Sequence, residues 1–499
     1  MRTIALVFLI LAAYARADVA LAPLFSDHAV LQREKPLPIW GRADPGEHVT
    51  VRFGADEIGT TATSNGHWFV VLSPVPASST PAELTVVGKN TVRITDVVVG
   101  DVWLCSGQSN MEWPVRGAQN AEMEMASANY PLIRHNKIRQ TVSNTPAENV
   151  EAGWVLCSPA TVGDFTAIGY FFARDLQPRI NVPIGLINSS WGGTPVESWV
   201  SPAGFATDPA FGVVDQRWRQ SLAEYPQKKK EYDAALAAWN ADDTAAKAKN
   251  QKLLQPQPRP PEGPGHPNTP AGLFNGMINP LLPSALRGVL WYQGETNVSR
   301  PTEYAALFAT LIRSWRRHFG QEDLAFFWVQ LASYKYSDPF NIECAILREA
   351  QTATLSLPAT GQALSIDIGD KNDIHPRNKQ EVGRRLALLA RSKVYNMPMD
   401  FSGPVFAGIT HEGSALRVHF THAGTGLTAR DKPLQSLQIA GADRRFYPAI
   451  AKMERDSILV SAREVPAPVA VRYAWFNAPE ANLYNGAGLP ATPFRSDNW

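Results

Sequence analysis

Four short segments, rich in small, amide, acidic and basic residues, each follow a run of mostly apolar residues. They are residues 106–113, 189–194, 293–297 and 369–376, and together they contain serine, paired glycines, amides, carboxylates and a histidine. In an open parallel sheet, ligands bind outside the carboxyl ends of the strands, so groups that follow the strands meet at one edge. The four segments therefore predict a functional site at the edge of a sheet.

Ser109 and His375 are the residues of these segments best suited to nucleophilic catalysis. A serine hydroxyl is a weak nucleophile unless a base takes its proton, and histidine does so near neutral pH. A carboxylate fixes the tautomer of that histidine and stabilises the imidazolium. Backbone N–H groups at glycines or at a strand-to-helix turn, helped by an amide side chain, can hold the oxyanion of acyl transfer.

Each group also has an ordinary structural interpretation. Ser109 could cap the helix that follows it, and Gly192-Gly193 could form only a tight turn. His375 could be a packed or surface histidine at the start of a helix. The segment around Ser109 lacks the Gly-x-Ser-x-Gly elbow, so an α/β-hydrolase loses support. The occurrence of all these groups at successive predicted strand ends favours the catalytic interpretation.

The elements that must position these groups form the pattern of an α/β domain. Continuous apolar runs suit strands that are buried on both faces, and helical periodicity between them indicates a parallel sheet covered by helices. The predicted strands are the five runs at residues 97–104, 184–188, 288–292, 324–331 and 363–368. The predicted helices lie at residues 165–176, 302–318 and 379–391, and the second has Tyr304, Leu307, Leu311 and Trp315 on one face.

The domain boundaries follow changes in composition. Short β-rich runs with turn residues between them predict a sandwich-like region over residues 18–96 and a second β-rich region over 400–499. Residues 97–399 hold the α/β domain. Within it, residues 215–272 predict a surface insertion, since an Ala-, Lys-, Glu- and Gln-rich helical stretch is followed by a proline-rich segment.

The chain of 499 residues begins like an exported protein. A short positive start, ten apolar residues and Ala15-Arg16-Ala17 fit a signal peptide cut after Ala17. We therefore expect a secreted or periplasmic protein with no membrane span. The net charge of +1 gives no reason to expect nucleic acid as a partner. The three cysteines have no metal-ligand spacing, and either free thiols or one disulfide would fit.

The motifs resemble the blocks of the sialate O-acetylesterase family. They are Ser-Gly-Gln-Ser-Asn-Met at 106–111, Trp-Gly-Gly-Thr-Pro at 191–195, Trp-Tyr-Gln-Gly-Glu at 291–295, Asp-Ile-His-Pro at 373–376 and Tyr-Asn-Gly-Ala-Gly-Leu-Pro at 484–490. They extend, in order, over essentially the whole chain after residue 17. The resemblance implies an SGNH-type three-layer α/β/α domain with a five-stranded, mostly parallel sheet, and a carbohydrate esterase that needs no metal or other cofactor.

The resemblance also implies roles for particular residues. Ser109 is the expected nucleophile and His375 the expected base. The expected oxyanion donors are the Ser109 N–H, the N–H of one of the two glycines, for which we choose Gly193, and the side chain of Gln293. The wider fold places an aspartate three residues before the histidine, where this chain has Asn372. We therefore expect Asp373 to be the acid, with Asp370 as the alternative.

The expected substrate is an O-acetylated carbohydrate, and the expected intermediate is an acetyl-serine. Sialate 9-O-acetyl groups are one candidate, and acetylated hemicelluloses such as xyloglucan or xylan are the other. Trp113, Trp191, Glu295 and Arg116 are the expected substrate-binding residues, with Arg377 as a second candidate cation for a sialate carboxylate. The rival functions are a glycosidase that uses Glu295 and a non-catalytic sugar-binding protein. The oligomeric state stays open.

Overall fold

A computed structural model describes residues 18–499. The predicted signal peptide lies outside this part of the chain. The described residues form a large mixed sheet with helices on both faces, preceded and followed by regions rich in short strands.

The first region contains eight strands, several of which alternate between buried and solvent-facing residues. In Leu37–Arg42 and His67–Leu72 every second residue is buried, as expected for strands with one face on a core. The strands are β1 (Ala20–Leu21), β2 (Val30–Gln32), β3 (Leu37–Arg42), β4 (His48–Phe53), β5 (Asp56–Thr61), β6 (His67–Leu72), β7 (Ser78–Val87) and β8 (Thr91–Gly107).

Strand β8 is 17 residues long and belongs to both the first region and the α/β region. Its first half pairs with β7 and β2, whereas residues 101–107 pair with strands of the α/β region. The predicted boundary at residue 96 therefore falls inside one continuous strand. The run from Val97 to Leu104 is apolar except for Gly100 and Asp101 because this stretch is buried on both faces.

The α/β region adds six strands to β8. They are β9 (Tyr130–Lys137), β10 (Trp154–Cys157), β11 (Ile184–Ser190), β12 (Gly288–Tyr292), β13 (Ala325–Val329) and β14 (Thr360–Ala363). Their order across the sheet is β10-β9-β11-β8-β12-β13-β14, and all neighbours are parallel except β10, which is antiparallel to β9. The sheet thus has six parallel strands rather than the five that the sequence predicted.

Two details of that prediction were wrong for physical reasons. Strand β9 was missed because it carries Arg134, His135 and Asn136 in place of an apolar run, although all three are buried. The last predicted strand, at residues 363–368, ends at Ala363 in the structure, and Ile366–Ile368 forms a 3-10 turn. An apolar composition alone does not distinguish a strand from a buried turn.

Helices lie on both faces of the sheet. Trp103 on β8 packs on Phe172 of one helix, whereas Trp291 on β12 packs on Phe308 of another. Trp291 is in register with Ser106, an odd number of residues from Trp103, so the two indoles point to opposite faces. The helices are α1 (Ser109–Glu112), α2 (Ala121–Ser127), α3 (Ala167–Ile180), α4 (Pro202–Phe205), α5 (Gly212–Ala248), α6 (Pro301–His318), α7 (Glu343–Ala353) and α8 (Lys379–Lys393). Within residues 18–499, no helix is both long enough and apolar enough to cross a membrane.

The segment at residues 212–263 forms a projecting arm. Helix α5 has one buried residue, Val214, and the proline-rich chain after the helix returns along it. The Trp239 indole N–H donates to the Gln255 carbonyl, and Gly263 lies against the ring of Tyr225, where a Cβ atom would come within 2.1 Å. The proline-rich segment thus covers one side of the helix.

The last region contains two four-stranded sheets and one two-stranded sheet around a second core. Its strands are β15 (Val405–Glu412), β16 (Ala415–Thr421), β17 (Leu427–Thr428), β18 (Leu437–Ala440), β19 (Phe446–Pro448), β20 (Ile450–Met453), β21 (Ser457–Ser461), β22 (Ala470–Tyr473), β23 (Tyr484–Asn485) and β24 (Phe494–Arg495). The fully buried Arg348 of α7 joins this region to the sheet, since its guanidinium donates to the carbonyls of Leu331, Ala332, Phe476 and Asn477.

Candidate active site

Ser109 and His375 meet at the carboxyl edge of the large sheet. Ser109 is the first residue of the short helix that follows β8, and His375 lies in the loop that precedes α8. The Ser109 Oγ lies 2.8 Å from the His375 Nε2, which is hydrogen-bonding distance. The two residues are 266 positions apart in the chain, so only the fold brings them together.

The turn that presents Ser109 depends on Gly107. This glycine has φ of +130°, and a Cβ atom added to it would lie 2.2 Å from the Tyr292 carbonyl oxygen. Any larger residue would push β8 away from β12 at the point where the chain turns into the helix. The sequence therefore places the glycine two residues before the serine for steric reasons.

The two glycines after β11 have different hydrogen-bonding environments. The Gly192 N–H donates to the Glu112 carboxylate at 2.7 Å, so this donor is already used. The Gly193 N–H has no acceptor within the described residues, and Gly193 is solvent-exposed with φ of +77°. A Cβ atom on Gly192 would lie 3.1 Å from the Ser109 Cβ, so the loop passes directly beside the serine.

The structure contradicts the prediction that Gln293 is an oxyanion donor. Gln293 is fully buried, and its amide nitrogen donates to the Thr194 carbonyl at 3.2 Å and to the Asn297 Oδ1 at 2.7 Å. Its amide oxygen accepts from the Tyr304 hydroxyl. Both amide hydrogens are therefore committed inside the protein, and Gln293 positions the loop that follows Gly193.

The acidic residues near His375 differ in what they contact. The Asp373 Oδ1 accepts the His375 backbone N–H at 2.9 Å and lies 3.8 Å from the His375 Nδ1. The Asp370 Oδ1 accepts the backbone N–H of Asn372 instead. Asp373 is therefore the carboxylate beside the imidazole, although 3.8 Å is longer than a hydrogen bond.

The two tryptophans predicted to bind sugar lie against protein groups. The Trp113 ring stacks on the His375 ring, with centroids 4.9 Å apart and planes inclined by 21°. This face of Trp113 holds the histidine and is not free for a sugar, so sugar binding by Trp113 stays a prediction for the rest of the ring. Trp191 is partly buried and packs against the main core.

A buried polar network lies beneath the serine and was not found from the sequence. Asn110 accepts from the Lys379 Nζ at 2.5 Å and donates to the Glu295 carboxylate at 2.5 Å. Lys379 is 1% exposed, and burial lowers its pKa to about 7. Burial also raises the pKa of Glu295, whose Oε2 has no hydrogen-bond partner within residues 18–499. Glu295 thus belongs to this network and was predicted to bind substrate.

The position of Lys379 carries a signal that sequence reasoning could have used. Lys379 is the first residue of α8, and a cation is unfavourable at the positive end of a helix. A lysine at this position therefore indicates that interactions outside the helix stabilise it. The Lys379 ammonium lies 5.6 Å from the Tyr292 ring centroid and 5.9 Å from that of Trp113, which favours the charged form of the lysine.

Arg116 does not offer a free charge. Its guanidinium forms an ion pair with Asp164 and donates to the Gly163 carbonyl. The side chain of the other arginine considered, Arg377, is exposed. The three cysteines are free and buried, so none is in a disulfide.

The pKa of His375 is lowered, first by burial and then by the Lys379 charge, against the opposite effect of Asp373. His375 is therefore neutral at neutral pH and can accept a proton from Ser109. The arrangement provides a serine with a base in contact and a free backbone N–H beside it. This combination can perform acyl transfer.

Comparisons with known proteins agree on one class of enzyme. A family model described as "Carbohydrate esterase, sialic acid-specific acetylesterase" matches residues 272–391. The sialate O-acetylesterase of Pongo abelii is 31% identical over 95% of this chain and 91% of its own length, and the Homo sapiens protein is 30% identical with the same coverage. The crystal structure of a carbohydrate acetylesterase from Xanthomonas citri has a TM-score of 0.81 and 38% identity, and the match covers 96% of this chain and 100% of that one.

Proposed function

Because the chain belongs to the sialate O-acetylesterase family and is a carbohydrate O-acetylesterase, we propose that Ser109 is its nucleophile and His375 its general base. The observation that carries the proposal is the 2.8 Å contact between the Ser109 Oγ and the His375 Nε2 at the edge of the sheet. A neutral histidine in this contact removes the serine proton as the hydroxyl attacks the acetyl carbonyl.

The attack produces a tetrahedral oxyanion that needs donors already in place. Gly193 is exposed and its N–H has no acceptor among the described residues, and the Ser109 N–H lies at the start of α1. We assign these two backbone groups to the oxyanion hole. A preorganised donor of this kind is worth about 2.7–4 kcal/mol of transition-state stabilisation. The Glu112 carboxylate, which binds the Gly192 N–H, keeps the loop in the conformation that leaves the Gly193 N–H free.

The protonated His375 then returns its proton to the departing sugar oxygen, and the acetyl group stays on Ser109. In the second half of the reaction, His375 takes a proton from water as the water oxygen attacks the acetyl carbonyl. The imidazolium then gives that proton to the Ser109 Oγ as the ester bond breaks, and the acetyl group leaves as acetic acid. The stack of His375 on Trp113 keeps the imidazole plane fixed through both halves. Asp373 stabilises the imidazolium that forms in each half.

Replacing the nucleophile tests this proposal directly. We expect Ser109→Ala to lower the rate of acetate release from an acetylated sugar by at least about 10³-fold, since no other hydroxyl within residues 18–499 is hydrogen-bonded to the His375 ring. Ser299→Ala, which changes an exposed serine, serves as the matched control. Equal rates for Ser109→Ala and the wild type would show that Ser109 is not the nucleophile.

We also propose that the protein is exported. The support is the pattern of the first 17 residues, which predicts cleavage before Asp18. Mass spectrometry of the protein from the source cells should give an N-terminus at Asp18. A retained Met1 would contradict export through this signal.

A further inference from the structure

We propose that a cleft between the arm and the edge of the sheet is a binding subsite for an uncharged sugar unit next to the acetylated one. The proposal rests on the function proposed above and names the class of glycan that this site takes. The cleft has a volume of about 240 Å³. It is formed by the base of α5, the end of the proline-rich segment and the loops after β11 and β12.

Two loops connect the cleft to the site around Ser109. Two of its lining residues, Pro195 and Thr296, belong to loops that contact the site. Pro195 follows Thr194, whose carbonyl accepts from Gln293, and is two residues from Gly193. The Thr296 N–H points to the side chain of Gln108 at 3.4 Å, and Gln108 directly precedes Ser109. A sugar chain whose acetyl group reaches Ser109 can therefore continue into this cleft.

Trp218 gives the cleft a face suited to a sugar ring. Its side chain is partly exposed, and its indole N–H has no acceptor within residues 18–499. No other described aromatic ring contacts it, unlike Trp113, which is covered by His375. The C–H face of a pyranose is apolar and packs on an indole, while the ring hydroxyls need polar partners at the edge. Asn268 and Glu262 supply such partners in the same cleft.

The charges of the cleft exclude a sugar carboxylate. Both lining arginines are already paired: Arg217 forms a two-bond contact with Glu303, and Arg300 donates to Glu197 at 2.7 Å. Among the charged lining residues, Glu262 alone has no ion-pair partner within the described residues, since its carboxylate accepts from Asn268 and Ser221. An anionic sugar would meet this carboxylate without a free cation to offset it, whereas a neutral pyranose would gain an acceptor.

The cleft is held in shape before a ligand arrives. The Arg217–Glu303 contact joins the base of α5 to α6 through two hydrogen bonds of 2.8 Å. On the other side, the contact of Gly263 with Tyr225 fixes the end of the proline-rich segment to the helix. Binding therefore costs little ordering of the protein, which is the condition for a useful subsite.

A second cleft offers the contrasting chemistry. It lies on the Glu112 side, has a volume of about 630 Å³ and contains Lys137, an exposed cation without an ion-pair partner in the described chain. Glu112 also lines this cleft, but of the two clefts this one alone offers a cation without an ion-pair partner in the described residues. Variants in the two clefts therefore distinguish a neutral glycan from a sialate.

The test compares acetylated xylo-oligosaccharides of one to four units, 9-O-acetylated N-acetylneuraminic acid and p-nitrophenyl acetate. We expect kcat/KM of the wild type to rise from one unit to two or more. Trp218→Ala should remove that rise, a loss of roughly tenfold on the longer substrates, and leave p-nitrophenyl acetate within twofold. Trp218→Phe should keep most of the rise, because a phenyl ring still stacks. Trp499→Ala, which changes a partly exposed tryptophan near the C-terminus, and Lys137→Ala should behave like the wild type on the xylo-oligosaccharides.

The same measurements contain the results that would overturn the proposal. A wild-type kcat/KM that does not depend on chain length, or an equal loss for Trp218→Ala on all substrates, would show that the cleft is not a sugar subsite. Preference for the acetylated sialic acid, with loss in Lys137→Ala but not in Trp218→Ala, would assign the sugar to the other cleft. Failure of the proposed catalytic serine would appear separately, as hydrolysis of p-nitrophenyl acetate by Ser109→Ala.

Discussion

Asp373 and Asp370 belong to one loop, but their carboxylates make different contacts. Asp373 holds the His375 backbone N–H and lies 3.8 Å from the imidazole Nδ1, while Asp370 closes the turn at Asn372. Asp373 is also 43% exposed, so water weakens its effect on the imidazole. A small movement of the loop on substrate binding would turn this contact into a hydrogen bond, as catalytic contacts often tighten in the complex.

Exchanging each acid for its amide separates the two assignments. We expect Asp373→Asn to lower kcat on an acetylated sugar by on the order of 10²-fold, since the imidazolium loses its counter-charge. Asp370→Asn should stay within about threefold of the wild type. The reverse order of losses would make Asp370 the acid.

Lys379 acts on His375 through its charge. Its pKa of about 7 means that the lysine is charged on the acid side of neutrality, where it opposes protonation of His375. The groups that face it are the carboxylates of Glu295 and Asp373, the Asn110 amide and the rings of Tyr292 and Trp113. The base therefore stays neutral at lower pH than an isolated histidine would.

Removing this charge should move the pH profile. In Lys379→Met the pKa of His375 rises, so the acid limb of kcat/KM moves to higher pH. Lys371→Met, which changes an exposed lysine in the loop that contains His375, is the control and should leave the acid limb in place. An unchanged acid limb in Lys379→Met would rule out this effect of Lys379 on the base.

At the residue scale, the sequence predicted residues that lie in short motifs, but it did not predict side-chain contacts between distant segments. Ser109 and His375 lie in distinctive motifs, and the fold brings them into contact. The direction of the Gln293 amide could not be predicted, because Thr194, Asn297 and Tyr304 fix it through contacts that only the folded chain provides. Arg116 was misjudged for the same reason, since its partner Asp164 is distant in sequence.

At the scale of elements, α7 is the link between the sheet and the last β region. Arg348 is fully buried and donates to four carbonyls from two separate segments, at 2.7–2.9 Å. No carboxylate pairs with it within the described residues, so the carbonyls alone satisfy its charge. The sequence predicted the regular apolar strands well, but an element such as β9, whose polar residues are buried, needs its neighbours to be recognised.

The Arg348 contacts give a prediction about stability. Arg348→Met would leave the carbonyls at residues 331, 332 and 476 without their donor, and each buried orphan costs about 1–3 kcal/mol. We expect the free energy of unfolding to fall by at least about 3 kcal/mol, measured by denaturant titration. Arg463→Met, an exposed arginine of the last region, should change it by less than about 0.5 kcal/mol. Equal stabilities would show that other donors replace the guanidinium.

At the scale of the whole molecule, Asp101 joins the first β region to the α/β region. This fully buried carboxylate on β8 contacts Arg33 at 3.0 Å, Arg287 at 2.7 Å and the Tyr395 hydroxyl at 2.8 Å. Burial alone would raise the pKa of Asp101, but Arg33 and Arg287 hold it below its usual value. Asp101 is therefore charged at neutral pH, and the stability from this contact is lost as pH falls through that lowered pKa.

The consequence is that the two regions should lose stability together. Asp101→Asn removes the buried carboxylate and leaves the exposed Glu34 as the acidic partner of Arg33 and Arg287, and breaking a buried pair in this way costs about 3–5 kcal/mol. Hydrogen exchange should then accelerate both in β3 and β6 and in β11 and β12. Glu57→Gln, which breaks an exposed pair with Arg52, is the control and should change neither set. Acceleration confined to one set would show that the regions unfold separately.

Strand β8 also constrains the order in which the chain can fold. The first half of the strand pairs with β2 and β7, which the ribosome synthesises earlier. Residues 101–107 pair with β11 and β12, which are synthesised later. At roughly 5–20 residues per second, the ribosome needs roughly ten seconds or more to reach Tyr292. In the first part of that interval, until β11 has been made, residues 101–107 have no edge partner, and afterwards the edge that β12 covers stays open, so the apolar residues of the strand are exposed to aggregation. The long strand that leads directly to Ser109 in the folded enzyme is thus, in the nascent chain, a segment that a chaperone would protect.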